Sequence, residues 1–452
     1  MSARKSTVRD MTEGAIWKHL VSFAFPLFIG NIFQQLYNTV DSIVVGNFVG
    51  ADALGAVTST IPIVITLIGL FIGLAMGASV VISQYFGAKD IPNLRRATHT
   101  AVVSTIIMAL VISAIGYYST PYLLRMMNTP ESVFREAVVY LQIFSLGLGG
   151  TMLYNMGSAI LRAVGDSKRP LYFLILASVL NIILDLLFVI KFEAGVAGVA
   201  YATIISQLVS GLIIFWILFR SHEVHSLTWQ EMRIDTGILS RIIAVGFPAG
   251  FQMALTSFSN VFVQAYVNSY GAASTAGWGI YARVDAFVIL PTQSMAMAVT
   301  TFVGQNAGAR KPERIHKGLL QGLFISWSIS ACIISCLYVF APYIARLFNQ
   351  DAAVLGFAVL FIRLNCLFDP VNATDQIQAG ALRGVGDSRT PMIIMLMSFV
   401  VFRQIYLFFI SRLTSSIYFI AIGYPLGWIV CTTLMTLHIK RAGWDKKLAE
   451  LK

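Results

Sequence analysis

The sequence predicts an all-α integral membrane protein in which twelve transmembrane helices form two pseudo-symmetric six-helix bundles. Three observations support this fold class. Of the 452 residues, 57% are hydrophobic and only 12% are charged, which is too little charged surface for a soluble protein of this size. Apolar runs of about 20 residues, the length that a helix needs to cross a hydrocarbon core, recur between short polar breaks. The two halves of the chain also carry the same motifs at the same spacing.

The predicted spans fill nearly the whole chain. In the first half they cover residues 17–46, 53–84, 96–118, 134–160, 170–190 and 195–219. In the second half they cover residues 238–268, 276–303, 315–340, 356–381, 391–411 and 417–438. We therefore predict a first lobe at 1–220, a linker at 221–237 and a second lobe at 238–452, with no room for a soluble catalytic domain. Since no cleavage site follows the first apolar run, we expect the first helix to stay in the membrane.

The net charge of +11 comes from basic residues that are spread over several loops and are not gathered on one face. Basic residues gather in alternate loops and near both ends, for example at Arg4, Lys5, Lys89, Arg95, Arg96, Arg310, Lys311, Lys446 and Lys447. By the positive-inside rule these segments are cytoplasmic, so we expect a multi-pass inner (plasma) membrane protein with both termini in the cytoplasm. A nucleic-acid site would need basic residues on one face with stacking aromatics, and we expect no nucleic-acid partner.

One ten-residue phrase shows that the halves are duplicates. LRAVGDSKRP begins at Leu161 and LRGVGDSRTP begins at Leu382, an offset of 221 residues. The same offset of 221 residues relates Gln84 to Gln305. Because each half holds six spans, both halves enter the membrane from the same side, and we expect an axis along the membrane normal to relate them.

Within the repeated phrase, the residue types predict a helix end followed by a helix start. Gly165 and Gly386 can adopt the left-handed conformation that ends a helix. Asp166 and Asp387 can then cap the next helix through their side-chain oxygens. We therefore interpret the phrase as architecture and look for chemistry deeper in the spans.

Two spans of the first half each carry amides and a carboxylate on one helical face. The side chains at about one-turn spacing are Gln34, Asn38 and Asp41 on the first span and Ser178, Asn181 and Asp185 on the fifth. Ionisable side chains inside a bilayer are costly and are usually functional. Since burial disfavours the charged form of a carboxyl group, such a group can bind a proton from one side and release it to the other. The alternative is a hydrogen-bonded contact that only fixes the two helices.

The paired motifs resemble those of the multidrug and toxic compound extrusion (MATE) family. They are the LR[AG]VGDS[KR] loops, SQYFGAK from Ser83, GQNAGAR from Gly304 and FPL near the start, and the resemblance covers essentially the whole chain. It implies two lobes around a V-shaped central cavity, and export of cationic or amphiphilic drugs driven by inward flow of H+ or Na+. It implies a transporter, not an enzyme, with no cofactor beyond the coupling ion, and we expect a monomer.

Carried over residue by residue, the resemblance implies that Asp41, Asn181 and Asp185 couple transport to H+ or to Na+. Na+ is the one metal ion that the resemblance allows for. Gln34, Asn38 and Ser178 would then lie beside the coupling site or face the substrate.

The second half is not an equal copy of this site. Its seventh span carries no acid, but Asn260 and Gln264 there and Met295 on the eighth span are candidates for substrate contact. The tenth span offers a further candidate polar site at Asp369, Asn372 and Asp375, for which functional and structural roles both stay open. Arg363 is a candidate partner for one of these acids. Arg283 and Asp285 are two residues apart on the eighth span, so each is expected to pair with another helix, and Arg403 on the eleventh span is expected to pair or to snorkel.

Two other classes of function stay open beside the favoured drug/cation antiporter. A lipid or lipid-linked oligosaccharide flippase of the same superfamily would be expected to have extra spans or a strongly cationic central cavity. A membrane-embedded enzyme would need a nucleophile and a base or a metal cluster within the spans, and the sequence offers neither pattern.

Overall fold

The computed structural model describes residues 8–443, and all regular secondary structure in this range is helical. The prediction of an all-α protein is confirmed. The basic residues Arg4, Lys5, Lys446 and Lys447 lie outside the described residues.

The helices of the first half match the six predicted spans but extend further at several ends. They are α1 (Ile16–Val44), α2 (Ala51–Gly87), α3 (Ile91–Met126), α4 (Glu131–Ala163), α5 (Lys168–Leu186) and α6 (Gly195–Arg220). Short π-helical turns at Val45–Val49 and Leu187–Lys191 continue α1 and α5.

The second half contains nine helical segments that make up the other six spans. They are α7 (Thr236–Asn268), α8 (Ala272–Gly308), α9 (Pro312–Arg346), α10 (Ala352–Cys366), α11 (Asp369–Gly384), α12 (Arg389–Leu396), α13 (Arg403–Leu413), α14 (Ile417–Ala421) and α15 (Gly423–His438). A π-helical turn, Met397–Phe402, joins α12 to α13. Within residues 8–443, eleven helices are long and apolar enough to cross a membrane, and one bent pair brings the total to twelve.

The bent pair corrects the predicted continuous helix at 356–381. Helix α10 ends at Cys366, α11 begins at Asp369, and the two segments are bent by 49°. Pro370 stands in the first turn of α11, where its ring has no N–H to donate to the preceding turn. The chain therefore ends one helix and starts another within the same span.

The described residues form two compact units whose limits differ from the predicted lobes. The first unit contains Ile29–Gly250 with the described residues up to Asp10, and the second contains Met11–Phe28 with the described residues from Phe251 onward. Helices α1 and α7 thus each contribute to both units. In each helix the change falls two residues after a proline, Pro26 in α1 and Pro248 in α7.

Specific contacts explain why the segment before α1 belongs to the second unit. The Met11 N–H donates to Gln305 Oε1 at 2.9 Å, and Arg314 Nη2 donates to the Met11 carbonyl at 3.1 Å. Lys311 Nζ donates to the Thr12 carbonyl at 2.9 Å. These bonds join residues about 300 positions apart, which no local pattern predicts.

The predicted linker at 221–237 belongs to the first unit because it is bound to the start of α3. His99 Nε2 accepts from the Thr228 N–H at 3.0 Å, and Thr100 Oγ1 accepts from the Asp235 N–H at 3.0 Å. The chain after α6 is therefore a folded loop on α3 and not a free connection.

The repeated phrase has the structure that its residues predict. Gly165 and Gly386 have φ angles of +86° and +92°, in the region that favours glycine. Asp166 Oδ1 accepts from the backbone N–H groups two and three residues ahead, each at 3.1 Å. Asp387 Oδ1 accepts from the N–H three residues ahead at 3.1 Å. In both halves the aspartate is a helix cap.

Helices α2 and α7 approach closely through glycines within the first unit. A Cβ atom at Gly73 would lie 2.5 Å from the Gly246 carbonyl oxygen and 2.6 Å from the Gly250 nitrogen. A Cβ atom at Gly77 would overlap the Ile242 carbonyl oxygen. The pair at 73 and 77 has the small-xxx-small spacing by which membrane helices bring their backbones together.

We expect Gly77→Ala to destabilise the first unit by about 1–3 kcal/mol, because the added methyl group forces the α2 and α7 backbones apart. Gly69→Ala on the same helix is the matched control, since a Cβ atom there meets nothing within 4 Å. The melting temperatures of the purified variants check this. Equal melting temperatures for the two variants would contradict the close approach.

His225 is a buried histidine on the loop that follows α6. Its side chain is fully buried, and neither ring nitrogen has a hydrogen-bond partner among the described residues. Burial and the positive charge of Arg169 lower the pKa of His225 to about 4. Arg169 itself contacts Asp166 at 3.3 Å and Glu223 at 3.6 Å, which ties this loop to the repeated phrase.

This lowered pKa predicts that the first unit loses stability in acid. An unfolded chain protonates His225 near its ordinary pKa of about 6.5, so below that pH the unfolded state binds the proton that the folded state refuses. The loss runs from about pH 6.5 down to the folded-state pKa, and reaches about 2 kcal/mol at pH 5. We expect the melting temperature to fall less between pH 7.5 and pH 5 in His225→Gln than in the unmodified protein. An identical fall in both proteins would exclude His225 as the cause.

Candidate functional site

Two carboxyl groups meet inside the first unit, one from α1 and one from α5. Asp41 and Asp185 lie beside each other, and neither carboxyl oxygen of Asp185 has a hydrogen-bond partner among the described residues. The side chain of Asp185 is fully buried, and that of Asp41 is partly buried. A carboxylate can only accept hydrogen bonds, so two of them in contact repel each other until a proton or a small cation lies between them. The pair can therefore bind one positive charge.

Asn181 stands one turn before Asp185 on α5. Its side chain is 2% exposed, and neither its amide nitrogen nor its amide oxygen has a hydrogen-bond partner among the described residues. A buried polar group without a partner costs free energy, so its presence here calls for a ligand or a function. The amide can donate to one carboxyl oxygen or offer its own oxygen to a cation.

Three further polar side chains surround the pair, and the sequence analysis did not identify them. Gln207 of α6 lies next to Tyr37, and both Tyr37 and Tyr140 of α4 lie within electrostatic range of Asp41. Two of these residues were recognisable from the sequence. Tyr37 precedes Asp41 by one turn, and Gln207 is the one amide in an apolar span. Tyr140 was not recognisable, because its position depends on the packing of α4.

The other predicted residues of the first half have different environments. Ser178 is buried, but its hydroxyl donates to the Leu174 carbonyl of its own helix at 2.8 Å, so it does not face the acids with a free hydroxyl. Gln34 and Asn38 have exposed side chains on α1 and are open to a solute.

In the second unit the predicted polar residues of α7 are bound to protein groups. Asn260 Oδ1 accepts from Arg403 at 2.7 Å, and Ser259 Oγ accepts from the same guanidinium group at 3.1 Å. The Arg403 guanidinium group also lies over the Tyr424 ring, 4.6 Å from its centroid. The prediction that Arg403 pairs with another helix is confirmed, but its partners are neutral.

Gln264 and Met295 also have structural surroundings. Gln264 donates to Asn268 Oδ1 at 2.7 Å on the same helix. Met295 is 3% exposed and belongs to the apolar core with Val299 and Phe302. The structure therefore places Met295 in the core and not at a polar site.

Asp369 faces Asp285 in the second unit, which corrects the predicted ion pairing of Asp285 with a cation. Both aspartates line a chamber of 10 Å³ together with Asn365, which is about the room that one water molecule needs. Ser330 Oγ donates to Asp369 Oδ2 at 2.5 Å.

The arginines expected near these acids bind elsewhere. Arg283 lies over the Phe348 ring, 6.0 Å from its centroid, and forms no ion pair within residues 8–443. Arg363 donates to the Tyr338 carbonyl at 3.0 Å instead of to an aspartate. The partners of these two arginines are thus an aromatic ring and a backbone carbonyl group in place of the predicted acids.

The remaining polar residues of α11 do not join this chamber. Asp375 is fully buried and accepts from the Thr432 hydroxyl of α15 at 2.6 Å. Asn372 is buried, with 7% of its side chain exposed. Asp375 is therefore bound to α15, whereas Asp369 lines the chamber with Asp285.

Eleven helices of membrane-spanning length and one bent pair, distributed over duplicated halves, define a multi-pass membrane protein among the described residues. A sequence model of the family described as MatE matches residues 26–187 and again residues 248–409, one match in each half. The chain therefore belongs to the MatE family of multidrug and toxic compound extrusion transporters.

Individual relatives and a solved structure agree with this assignment. The Probable multidrug resistance protein YpnP of Bacillus subtilis (strain 168) is 31% identical over 399 residues, which cover 87% of this chain and 88% of that protein. The Probable multidrug resistance protein YoeA of the same strain is 30% identical over 448 residues, or 96% of each chain. A MOP superfamily transporter from Pyrococcus furiosus shares the fold with a TM-score of 0.92 at 24% identity, covering 100% of this chain and 99% of that one.

Asn181 and Asn260 differ in whether the amide has a protein partner among the described residues. We expect Asn181→Leu to raise stability by about 1 kcal/mol, because it removes a buried amide that has no partner. Asn260→Leu should lower stability by about 1–2 kcal/mol, because it removes an acceptor from the buried Arg403. The melting temperatures of both variants check this. If Asn181→Leu were the more destabilising change, the amide would have the purely structural role.

Proposed function

We propose that this protein is a secondary active multidrug exporter of the plasma membrane. It exchanges H+ for cationic or amphiphilic compounds by alternating access, with both termini in the cytoplasm. The observation that carries the proposal is the contact between the Asp41 and Asp185 carboxyl groups in the first unit. Two relatives that align with most of the chain are named as probable multidrug resistance proteins, which supports the same substrate class.

The geometry favours H+ over Na+ as the coupling ion. One proton between two carboxyl groups completes a hydrogen bond and removes their repulsion. Hard metal cations are usually held by six or more oxygen ligands, whereas Asp41, Asp185 and Asn181 offer few. No cofactor beyond the coupling ion is needed.

The proton gradient is sufficient for such transport. A difference of one pH unit supplies about 1.4 kcal/mol per proton, and a membrane potential of 100 mV supplies about 2.3 kcal/mol per charge. Together they support a concentration ratio of several hundredfold for a neutral solute moved by one proton. The relay needs only that the pair be protonated from one side of the membrane and deprotonated to the other.

The alternative function, a lipid or lipid-linked oligosaccharide flippase, has less support. The two B. subtilis relatives carry multidrug names, and the intramembrane Arg403 is bound to Ser259 and Asn260 instead of being open to an anionic headgroup.

We expect Asp41→Asn to abolish H+-driven export of ethidium, because the remaining carboxyl group has no titrating partner to share a proton with. The assay is ethidium flux into or out of proteoliposomes under an imposed pH gradient, an imposed Na+ gradient or neither. Asp52→Asn is the matched control: it makes the same chemical change at an exposed position at the start of α2 and should leave transport unchanged.

Three outcomes would overturn parts of the proposal. Full activity of Asp41→Asn would remove the carboxyl pair from the mechanism. Flux that follows the Na+ gradient alone would assign the coupling to Na+. Movement of a fluorescent phospholipid without ethidium flux would favour the flippase.

A further inference from the structure

A basic cavity lies where α3 begins, beneath the loop that follows α6. Its volume is 690 Å³, and it belongs entirely to the first unit. The charged and ring side chains that line it are Arg95, Arg96, His99, Glu231, Arg233 and Asp235. The carboxyl pair lies on other residues and other helices, so the cavity is a separate site.

The two acids of the cavity are already engaged. Glu231 contacts Arg95 at 3.7 Å, and Asp235 Oδ1 accepts from the Ile238 N–H at 3.0 Å as the cap of α7. Arg96 and Arg233 are exposed and form no ion pair within residues 8–443. The cavity therefore presents two guanidinium groups that have no protein counter-ion.

The cavity is built in advance, because three contacts hold its loop wall to α3. His99 and Thr100 accept from the loop backbone at Thr228 and Asp235, and Arg95 donates to Ser226 Oγ at 3.2 Å. A fixed wall lowers the entropy that a ligand must lose to order the site.

Neighbouring aromatic side chains place the cavity at the membrane surface. Trp229 is 74% exposed and stacks on Phe219 at the end of α6, with ring centroids 4.5 Å apart. Exposed tryptophans are enriched at the level of the lipid headgroups. A second cavity of 550 Å³ shares Arg95 and adds Arg220 and His222 to the basic lining.

We propose that this cavity binds the phosphate of an anionic phospholipid headgroup. Guanidinium groups match phosphate oxygens in a bidentate fork, and basic pockets between helices on the cytoplasmic side bind acidic headgroups. The apolar wall of Ile91, Pro92 and Ile234 suits the glycerol and upper acyl region of a lipid better than a free anion. The cytoplasmic placement rests on the proposed topology, but headgroup binding itself does not depend on transport.

The test uses the purified full chain in neutral detergent, titrated with phosphatidylglycerol while its melting temperature is followed. We expect a rise in melting temperature with phosphatidylglycerol and none with phosphatidylcholine. In Arg96→Gln/Arg233→Gln the apparent affinity for phosphatidylglycerol should be about thirtyfold weaker, as expected for the loss of two arginines near an anionic surface.

Arg310→Gln/Lys317→Gln is the charge-matched control. Lys317 occupies the position 221 residues after Arg96, and both control side chains are exposed on the second half of the repeat. This variant should bind the lipid like the unmodified protein. The single variant Arg96→Gln, with an intermediate loss, serves if the double variant does not fold.

Two results would overturn the proposal. An unchanged affinity in Arg96→Gln/Arg233→Gln, or an equal loss in the control, would show that the lipid acts through general surface charge. If inorganic phosphate raised the melting temperature as much as phosphatidylglycerol does and competed with it, the cavity would be assigned to a free anion. The lipid-binding test does not measure ethidium flux, so its result can be interpreted even if the proposed transport function is wrong.

Discussion

A hydrocarbon layer offers no hydrogen bonds, and this constraint determines most of the architecture. Backbone groups in the spans must be satisfied within helices, and polar side chains must find partners inside the protein. The second unit meets the requirement with neutral donors and acceptors: Asp369 is bound by Ser330, and Asp375 is bound by Thr432. In the first unit, Asp41 and Asp185 have chiefly each other. On the proposed function, a proton bound between these two carboxyl groups completes the contact.

The duplicated halves have kept their architecture and diverged in chemistry. Asp166 and Asp387 cap the same helix start in the same phrase, because the turn demands a side-chain acceptor in both halves. No turn requires the acids within the spans, so their hydrogen-bond partners can differ between the two halves. Asp369 and Asp375 each accept from a hydroxyl group of the second unit, whereas neither carboxyl oxygen of Asp185 has a partner among the described residues.

The periodicity of the sequence predicts those features of the structure that depend on local geometry. The spans, the duplication and the caps are local features, and Asp41 and Asp185 were identifiable because each stands a turn from an amide on an apolar helix. The break at Pro370 also had a local signal, since a proline at a helix start was visible in the sequence. Three features had no local signal: the chamber shared by Asp285 and Asp369, the place of Tyr140 near Asp41, and the membership of Met11–Phe28 in the second unit. These depend on which helices pack together, and residues from distant parts of the chain determine that.

The division of α1 between the units gives the carboxyl pair a route to the rest of the chain. Asp41 stands fifteen residues after Pro26, about 22 Å along the helix at a rise of about 1.5 Å per residue. On the proposed function, protonation alters the contact of Asp41 with Asp185, and α1 is a continuous helix from Ile16 to Val44. Its residues up to Phe28 pack in the other unit, so a change in the position of the α1 segment that carries Asp41 cannot remain confined to the first unit. Pro26 removes one backbone hydrogen bond near this junction, which lowers the cost of bending the helix there. On the proposed function, a proton bound at Asp41 therefore acts on a helix whose residues belong to both units.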